Sequence, residues 1–409
     1  MDNISMYIKS QWDATIRFNP QDNGTLLGLP YPYIVPCIKD RFQELFYWDT
    51  YFACRGLAIH ERKEDVKNNL LNFFHELNRF GFIPNGSRTY FLNRSQPPFL
   101  GALIKLTLNL FPDDIELKKQ SYHALTKEVA FRDKHRRDSA TGLYFYGSNH
   151  SEDELKEYYQ LAVVRHGADP DEKDNAKRKE MALTTLAEAE SGWDFSARFN
   201  NNCHNCAAVD LNSLMYLNFE MLSELAVFTG GNGDIWKNRQ HELSQAMRKY
   251  NLNADGIFVD YDLQLKSQMS LITAASFFPL WVSMATPQEA YSTRNICCRK
   301  LEYPFGISAT EKFDTALHLQ WEYPNGWPCL QMISFEALDR YDFKNDARRI
   351  AEKYCKTVQI NFEKNNNLWE KYNVTDGSTR VASEYEMPAM MGWSAGTYLV
   401  AAELLKQNN

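Results

Sequence analysis

Five short strings each set an aromatic residue beside a carboxylate, an amide or an arginine. They are "RFQELFYWDTY" (41–51), "GFIPNGSRTYFLNRSQPPF" (81–99), "ESGWDFSARF" (190–199), "QWEYPNGWP" (320–328) and "LWEKYN" (368–373), the last followed by "SEYEMP" (383–388). Aromatic faces stack on the C–H patches of a sugar ring, while amides, arginine forks and carboxylates hydrogen-bond its hydroxyls. One such string alone reads as a helix cap or an interhelical contact. Five of one character, spread along the chain, read as the wall of a carbohydrate site. In "QWEYPNGWP" the Pro-Asn-Gly is turn chemistry, since Asn and Gly tolerate positive φ and Pro fixes its own. Its aromatics are therefore expected on a turn beside the sugar.

Composition removes several other classes. The chain has 409 residues, 44% hydrophobic and 24% charged, which is ordinary globular material. A net charge of −7 gives neither a nucleic acid nor an anionic membrane electrostatic support as a partner. The basic cluster "RDKHRR" (132–137) is interrupted by acid and is expected as a solvated loop. The longest apolar run, "ITAASFFPLWVSMAT" (272–286), is too short to span a bilayer and contains a proline. The first residues, "MDNISMYIKSQWD", lack the basic-then-apolar pattern of a signal peptide, so a cytoplasmic protein is expected. Eight cysteines are scattered, and "CHNC" (203–206) has no second pair to complete a metal array. No metal and no cofactor are expected, and Cys203 and Cys206 read as reduced thiols at the start of a helix.

The elements that must position these strings are helical. "DVKNNLLNFFHELNRFG" (65–81) puts Val66, Leu70, Phe73, Phe74 and Leu77 on one face, with Gly81 as the stop. The same period recurs over 47–60, 98–111, 115–131, 210–228, 234–250, 268–284, 286–301, 327–341, 345–364 and 388–406, and a further helix ends near Glu190. Strand signals are few, as in "GIFVDYDL" (256–263). No linker or repeat interrupts about a dozen helices, so a single all-α domain over 1–409 is expected. Pairing inner with outer helices would close a double-layered toroid, although periodicity alone establishes only the all-α class.

The strings resemble the trehalases of glycoside hydrolase family 37. "RFQELFYWDTYF" is similar to one of that family's two signatures and "QWEYPNGWP" to the other, and "IPNGSRTYFLNRSQPPF" and "ESGWDFSARF" match further strings in the same order. The resemblance runs from about residue 30 to 400. It implies an (α/α)6 toroid and inverting hydrolysis of α,α-trehalose, or a closely related small α-glucoside, to release glucose without metal or cofactor. Inversion needs a protonated carboxylic acid at the glycosidic oxygen and a second carboxylate activating water on the opposite face, roughly 6.5–9.5 Å away. The acid must hold its proton near neutral pH. Asp194, between Trp193 and Phe195, has apolar neighbours, and the resemblance places the acid there. Its competing role is to cap a helix starting at Phe195. The resemblance makes Glu370, before Lys-Tyr, the base and Glu384 a substrate-binding carboxylate, or the two exchanged. Glu370 could instead form a surface ion pair with its neighbouring lysine.

By the same resemblance Arg41, Trp48, Asp49, Asn85, Arg94, Ser95 and Gln96 hold the glucose, with Gly192 and Trp321 on the wall. Arg165, in "VVRHGADP" (163–170), stands for a further sugar-binding arginine, although the family's Arg-Pro-Glu is absent. Asn85 and Asn93 lie in sequons whose glycans would obstruct the site, which again favours the cytosol. Some features depart from the family. Its glycine-rich lid is replaced by "VTDGSTRVAS" (374–383), with Gly377 alone; an Asn near Trp393 is lost; and Glu322 stands where Asp is preferred. The glucose side is expected intact and the leaving-group side altered and more open. Two other readings follow, an (α/α)6 hydrolase of another α-linked disaccharide or a glucosylglycerate, and a sugar-binding homologue without turnover.

Overall fold

Hydrophobic periodicity becomes helix over most of the chain. The computed structural model describes residues 2–315, 319–383, 385–390 and 392–406. Among them run α1 (Asn3–Gln11), α2 (Tyr47–Ile59), α3 (Lys63–Phe80), α4 (Leu100–Leu110), α5 (Ile115–His135), α6 (Glu152–His166) and α7 (Asn175–Ser191). There follow α8 (Val209–Leu225), α9 (Asp234–Tyr250), α10 (Phe278–Trp281), α11 (Pro287–Leu301), α12 (Pro328–Arg340), α13 (Lys344–Asn365) and α14 (Gly392–Lys406).

Six of these touch in a closed cycle, α2 on α4, α4 on α8, α8 on α10, α10 on α12, α12 on α14 and α14 back on α2. Helices of this inner ring are apolar on nearly every side: in α8 the buried run includes Leu211, Leu214, Met215, Leu217, Phe219 and Leu222. The outer layer is one-sided. α3 packs on α2 and α4, α5 on α4 and α8, α9 on α8, and α13 on α12 and α14. Their opposite faces carry Lys, Glu and Asn to water, as a single apolar stripe requires. The expected (α/α)6 toroid is the observed fold. Its closing seam depends on two glycines, because a Cβ at Gly396 would stand 1.8 Å from the Phe52 carbonyl and one at Gly56 would stand 2.9 Å from the Gly396 Cα. Helices α6 and α7 pack on each other around their own small core of Leu155, Tyr159, Ala182 and Leu186.

Local expectations fail where non-local contacts claim the backbone. The helix expected over 268–284 shrinks to a 3-10 turn (Ala274–Phe277) and the four residues of α10. Upstream, Ser267–Gln268 pairs with Tyr261–Asp262, and Thr273 bridges Thr310, so those amides are already used. The expected solvated loop "RDKHRR" is the end of α5 and the two residues beyond it. Arg132 and Arg136 are buried there against Glu128 and Glu190. Cys203 opens a short 3-10 turn (Cys203–Asn205) and Cys206 follows it, so neither lies in the first turn of an α-helix. No helix of the described residues is long and apolar enough to cross a membrane.

Candidate active site

Loops at the amino-terminal ends of α2, α4, α12 and α14 and the turn after α7 surround a cavity of about 140 Å³. Asp49, Asp194 and Glu370 all face it. Tryptophans build its wall. Trp321 stacks flat on Trp327, with ring centroids 3.7 Å apart and planes 2° from parallel. Trp48 lies 5.7 Å from Trp321, and Trp393 meets Trp48 edge-on at 6.0 Å.

The turn carrying Asp194 is over-determined. α7 ends at Gly192, whose φ of +73° is left-handed and whose Cβ, if present, would stand 2.7 Å from the Trp48 ring. Only glycine lets the chain turn there against the tryptophan. Gly192→Ala is therefore expected to destabilise the fold by roughly 1–3 kcal/mol and to displace the Asp194 turn. Thermal melting together with kcat/KM checks this; an unchanged melting temperature would refute it. Beyond Gly192, Arg198 lies 4.4 Å beneath the Trp193 ring and forks onto both Asp210 and Asp260 at 2.7–2.9 Å. Asp194 caps no helix: Ser196 caps the following 3-10 turn, Ala197–Phe199.

"QWEYPNGWP" supports this turn from the other side. Glu322 is buried and accepts the Ala197 amide at 2.8 Å, and Ser196 donates to the Trp321 carbonyl at 3.2 Å. Its Asn-Gly is not a left-handed turn, contrary to the expectation. The Tyr323–Pro324 peptide is cis, and Asn325–Gly326 is extended, pairing antiparallel with Tyr372–Asn373 just after Glu370. The string thus pins both carboxylate loops, and its two tryptophans face the cavity. Gln320 spans them, its Nε2 donating to the Asp194 carbonyl at 3.4 Å and its Oε1 accepting from Lys371 at 3.5 Å.

Electrostatics separates the carboxyls. Burial raises Asp194 from 3.8 to about 6, opposed by the positive charges of Arg94 and Arg165 and assisted by Glu188. Burial likewise raises Asp49 to about 7, with Glu370 and Asp194 adding repulsion. Glu370 has two donors instead. Lys371 Nζ binds its Oε2, and the Tyr385 hydroxyl donates to its Oε1 at 2.5 Å. With Glu370 2% and Lys371 0% exposed at the side chain, this is a buried pair and not a surface one. A donor on each oxygen holds the carboxylate at both ends.

Of the residues expected to bind sugar, Trp48, Asp49, Asn85, Arg94, Gln96, Gly192 and Trp321 line the cavity. Gln96 also accepts the Trp48 amide at 3.1 Å, which fixes the start of α2. Three do not line it. Ser95 lies behind the wall, its hydroxyl donating to the Ile83 carbonyl and accepting from Arg132. Arg41 is exposed and stacks over the Tyr385 ring at 5.2 Å. Arg165 packs over Phe195 at 3.5 Å and acts on Asp194 through its charge. Glu384 lies outside the described residues. The sequence reading named no role for Phe42, Phe46, Phe91, Gln320, Tyr385 and Trp393, which also face the cavity, while Trp327 lines it as expected of the aromatics in "QWEYPNGWP". Most lie within the same aromatic strings, so the signal was the whole string and not its polar members. Tyr385, beyond the glycine-poor segment, reaches the cavity.

A helical toroid with paired buried carboxyls and a tryptophan wall at one end is a glycoside hydrolase. The trehalase family model matches residues 2–406, and the chain belongs to that family. It is 32% identical to the periplasmic trehalase of Citrobacter koseri over 93% of this chain and 69% of that one. It is 31% identical to the periplasmic trehalase of Escherichia coli, over 98% and 74%. The solved neutral trehalase of Saccharomyces cerevisiae superposes with a TM-score of 0.80 at 27% identity, covering 99% of this chain and 80% of that one. The expected cytoplasmic location is overturned by the bacterial relatives, which are named periplasmic. The opening residues do not report a compartment. The sequon argument fails too, since Asn93 is buried and bonded to Glu154 and Arg94.

Proposed function

We propose that the chain, acting as one catalytic unit, hydrolyses α,α-trehalose to two glucose molecules with inversion, Asp194 serving as general acid and Glu370 as general base. The carrying observation is one cavity in which burial holds a proton on Asp194 near pH 6 while Glu370 is gripped by a donor on each oxygen. Opposite protonation of two carboxyls is what inverting hydrolysis requires. Glu370 removes a proton from water as the water oxygen bonds to the anomeric carbon. The bond from that carbon to the bridging oxygen breaks, and Asp194 gives its proton to the departing glucose. Solvent then exchanges the proton from Glu370 and returns one to Asp194.

The neighbouring groups fit this cycle. Asp49, Asn85 and Gln96 offer hydrogen-bond partners to ring hydroxyls beside the tryptophan wall. Arg94 is held by Tyr158 at 2.5 Å and by Asn93 at 2.9 Å, and its Nε is buried without a partner among the described residues. That donor suits a sugar hydroxyl. The bacterial relatives are named periplasmic, which supports a periplasmic location for this activity.

Anomeric analysis tests inversion. Both anomeric carbons of trehalose are α, so inversion at one releases one β-glucose and one α-glucose. Proton NMR within the first minutes is expected to show the two anomers in equal amounts, before mutarotation mixes them. Release of α-glucose alone would sink the inverting assignment.

A further inference from the structure

The arm 374–385 departs from a glycine-rich lid, and its anchoring shows what replaces glycine flexibility. Asn361 Nδ2 donates to the Gly377 carbonyl at 2.7 Å, and Asn373 Nδ2 to the Arg380 carbonyl at 3.2 Å. Closer to the cavity, Asn325 Nδ2 donates to the Ala382 carbonyl at 3.0 Å, and Lys371 Nζ to Ser383 Oγ at 3.2 Å. These bonds tie the arm to α13, to the pair of extended segments behind the wall, and to the loop carrying Glu370. At its end the Tyr385 ring packs edge-on against Phe42, with centroids 5.4 Å apart, and lies under Arg41. The loop bearing those two residues is strained to receive it: Asp40 and Phe42 have φ of +69° and +55°.

We propose that Tyr385 is a positioning residue for the reaction, an arm-borne phenol that, together with Lys371, fixes the orientation of Glu370. This rests on Glu370 being the base. The geometry carries the assignment because the two donors take different oxygens, Lys371 on Oε2 and Tyr385 on Oε1. A carboxylate held at both ends cannot rotate about its terminal bond, and each oxygen keeps one lone-pair direction fixed in place for water. A phenolic O–H 2.5 Å from a carboxylate oxygen is a short, directional contact that sets where that oxygen points. Lys371 alone would leave Oε1 free to swing. Other groups face Glu370 as well: Asp49 from α2, and the thiols of Cys37 and Cys329 from the loop before α2 and the start of α12.

The kinetic signature follows from the geometry. Losing the Tyr385 bond frees Oε1 to turn, so the base is less often aimed at the water while substrate binding is untouched. Tyr385→Phe removes the hydroxyl while keeping the ring against Phe42 and Arg41, so folding is not at stake; an unchanged melting temperature verifies that. With trehalose as substrate, we expect kcat to fall about tenfold with KM within about twofold. A KM rise as large as the kcat loss would show that the tyrosine merely packs the arm, and would overturn the proposal. Full activity would overturn it as well. Glu370→Gln, assayed alongside, separates this from the underlying reading: if that variant keeps its rate, Glu370 is not the base and the proposal falls with it, whatever Tyr385→Phe does.

Discussion

Asp194→Asn is expected to lower kcat on trehalose by roughly 10³-fold, the amount a positioned general acid contributes. The reason is the leaving group: a glucose alkoxide leaves poorly unless a proton reaches the bridging oxygen as the bond breaks. α-Glucosyl fluoride needs no such proton, so the same variant should hydrolyse it within about tenfold of the unsubstituted enzyme. Equal loss on both substrates would refute the acid role. The pH dependence gives a second check. Asp194 must be protonated to act and is held near pH 6 by burial, so kcat/KM should fall as pH rises through about 6. A folded-state pKa raised above 3.8 means that the folded state binds the proton more tightly. The stability this confers is complete below pH 3.8 and lost as pH rises through about 6. Asparagine carries no such loss, so the variant should melt higher than the original enzyme at pH 8, with the gap closing at pH 4. A variant less stable at pH 8 than at pH 4, relative to the original, would contradict this.

Glu370→Gln is expected to cost roughly 10³-fold on trehalose and, unlike the acid variant, as much on α-glucosyl fluoride, because both reactions need an activated water. Azide is a nucleophile that needs no base. Added to this variant with the fluoride, it should restore turnover and yield β-glucosyl azide, since attack comes from the face opposite the leaving group. Formation of the α-azide would indicate retention. Failure of rescue combined with surviving hydrolysis would remove Glu370 from the mechanism. The glutamine keeps one acceptor for Tyr385 and turns a donor toward Lys371, so a buried cation loses its counter-charge. A lowered melting temperature therefore accompanies the kinetic loss.

The contrast between these carboxyls was half legible in the sequence. Asp194 between Trp193 and Phe195 announces an apolar environment, because adjacent residues on one turn share their surroundings. Glu370 announces nothing of the kind: beside a lysine, it reads as a surface pair. What makes it different is Tyr385, fifteen positions on, and a wall that buries Lys371 over the Trp327 ring at 4.6 Å.

Local physics was sufficient for the secondary structure and for the identity of the site strings. Apolar spacing near 3.6 residues dictates α3, α9 and α13, and Gly81 ends α3 with a φ of +81°, because these are properties of neighbouring residues. The family strings likewise lie contiguous in the chain. Only the tertiary structure decided which helices form the inner ring, because a helix such as α14 is recognised as inner by its seam with α2, more than 300 positions away. It also decided that Ser95 faces away from the cavity, held by Arg132 on α5, and that Arg132 and Arg136 are buried counter-charges and not a solvated loop. In "QWEYPNGWP" the sequence supplied the aromatics and the carboxylate. Pairing with Tyr372–Asn373 across the fold straightened its Asn-Gly and set the distance between the two carboxylate loops. Such choices depend on partners remote in sequence, and a side chain's hydrogen-bonding capacity does not specify which distant group will satisfy it.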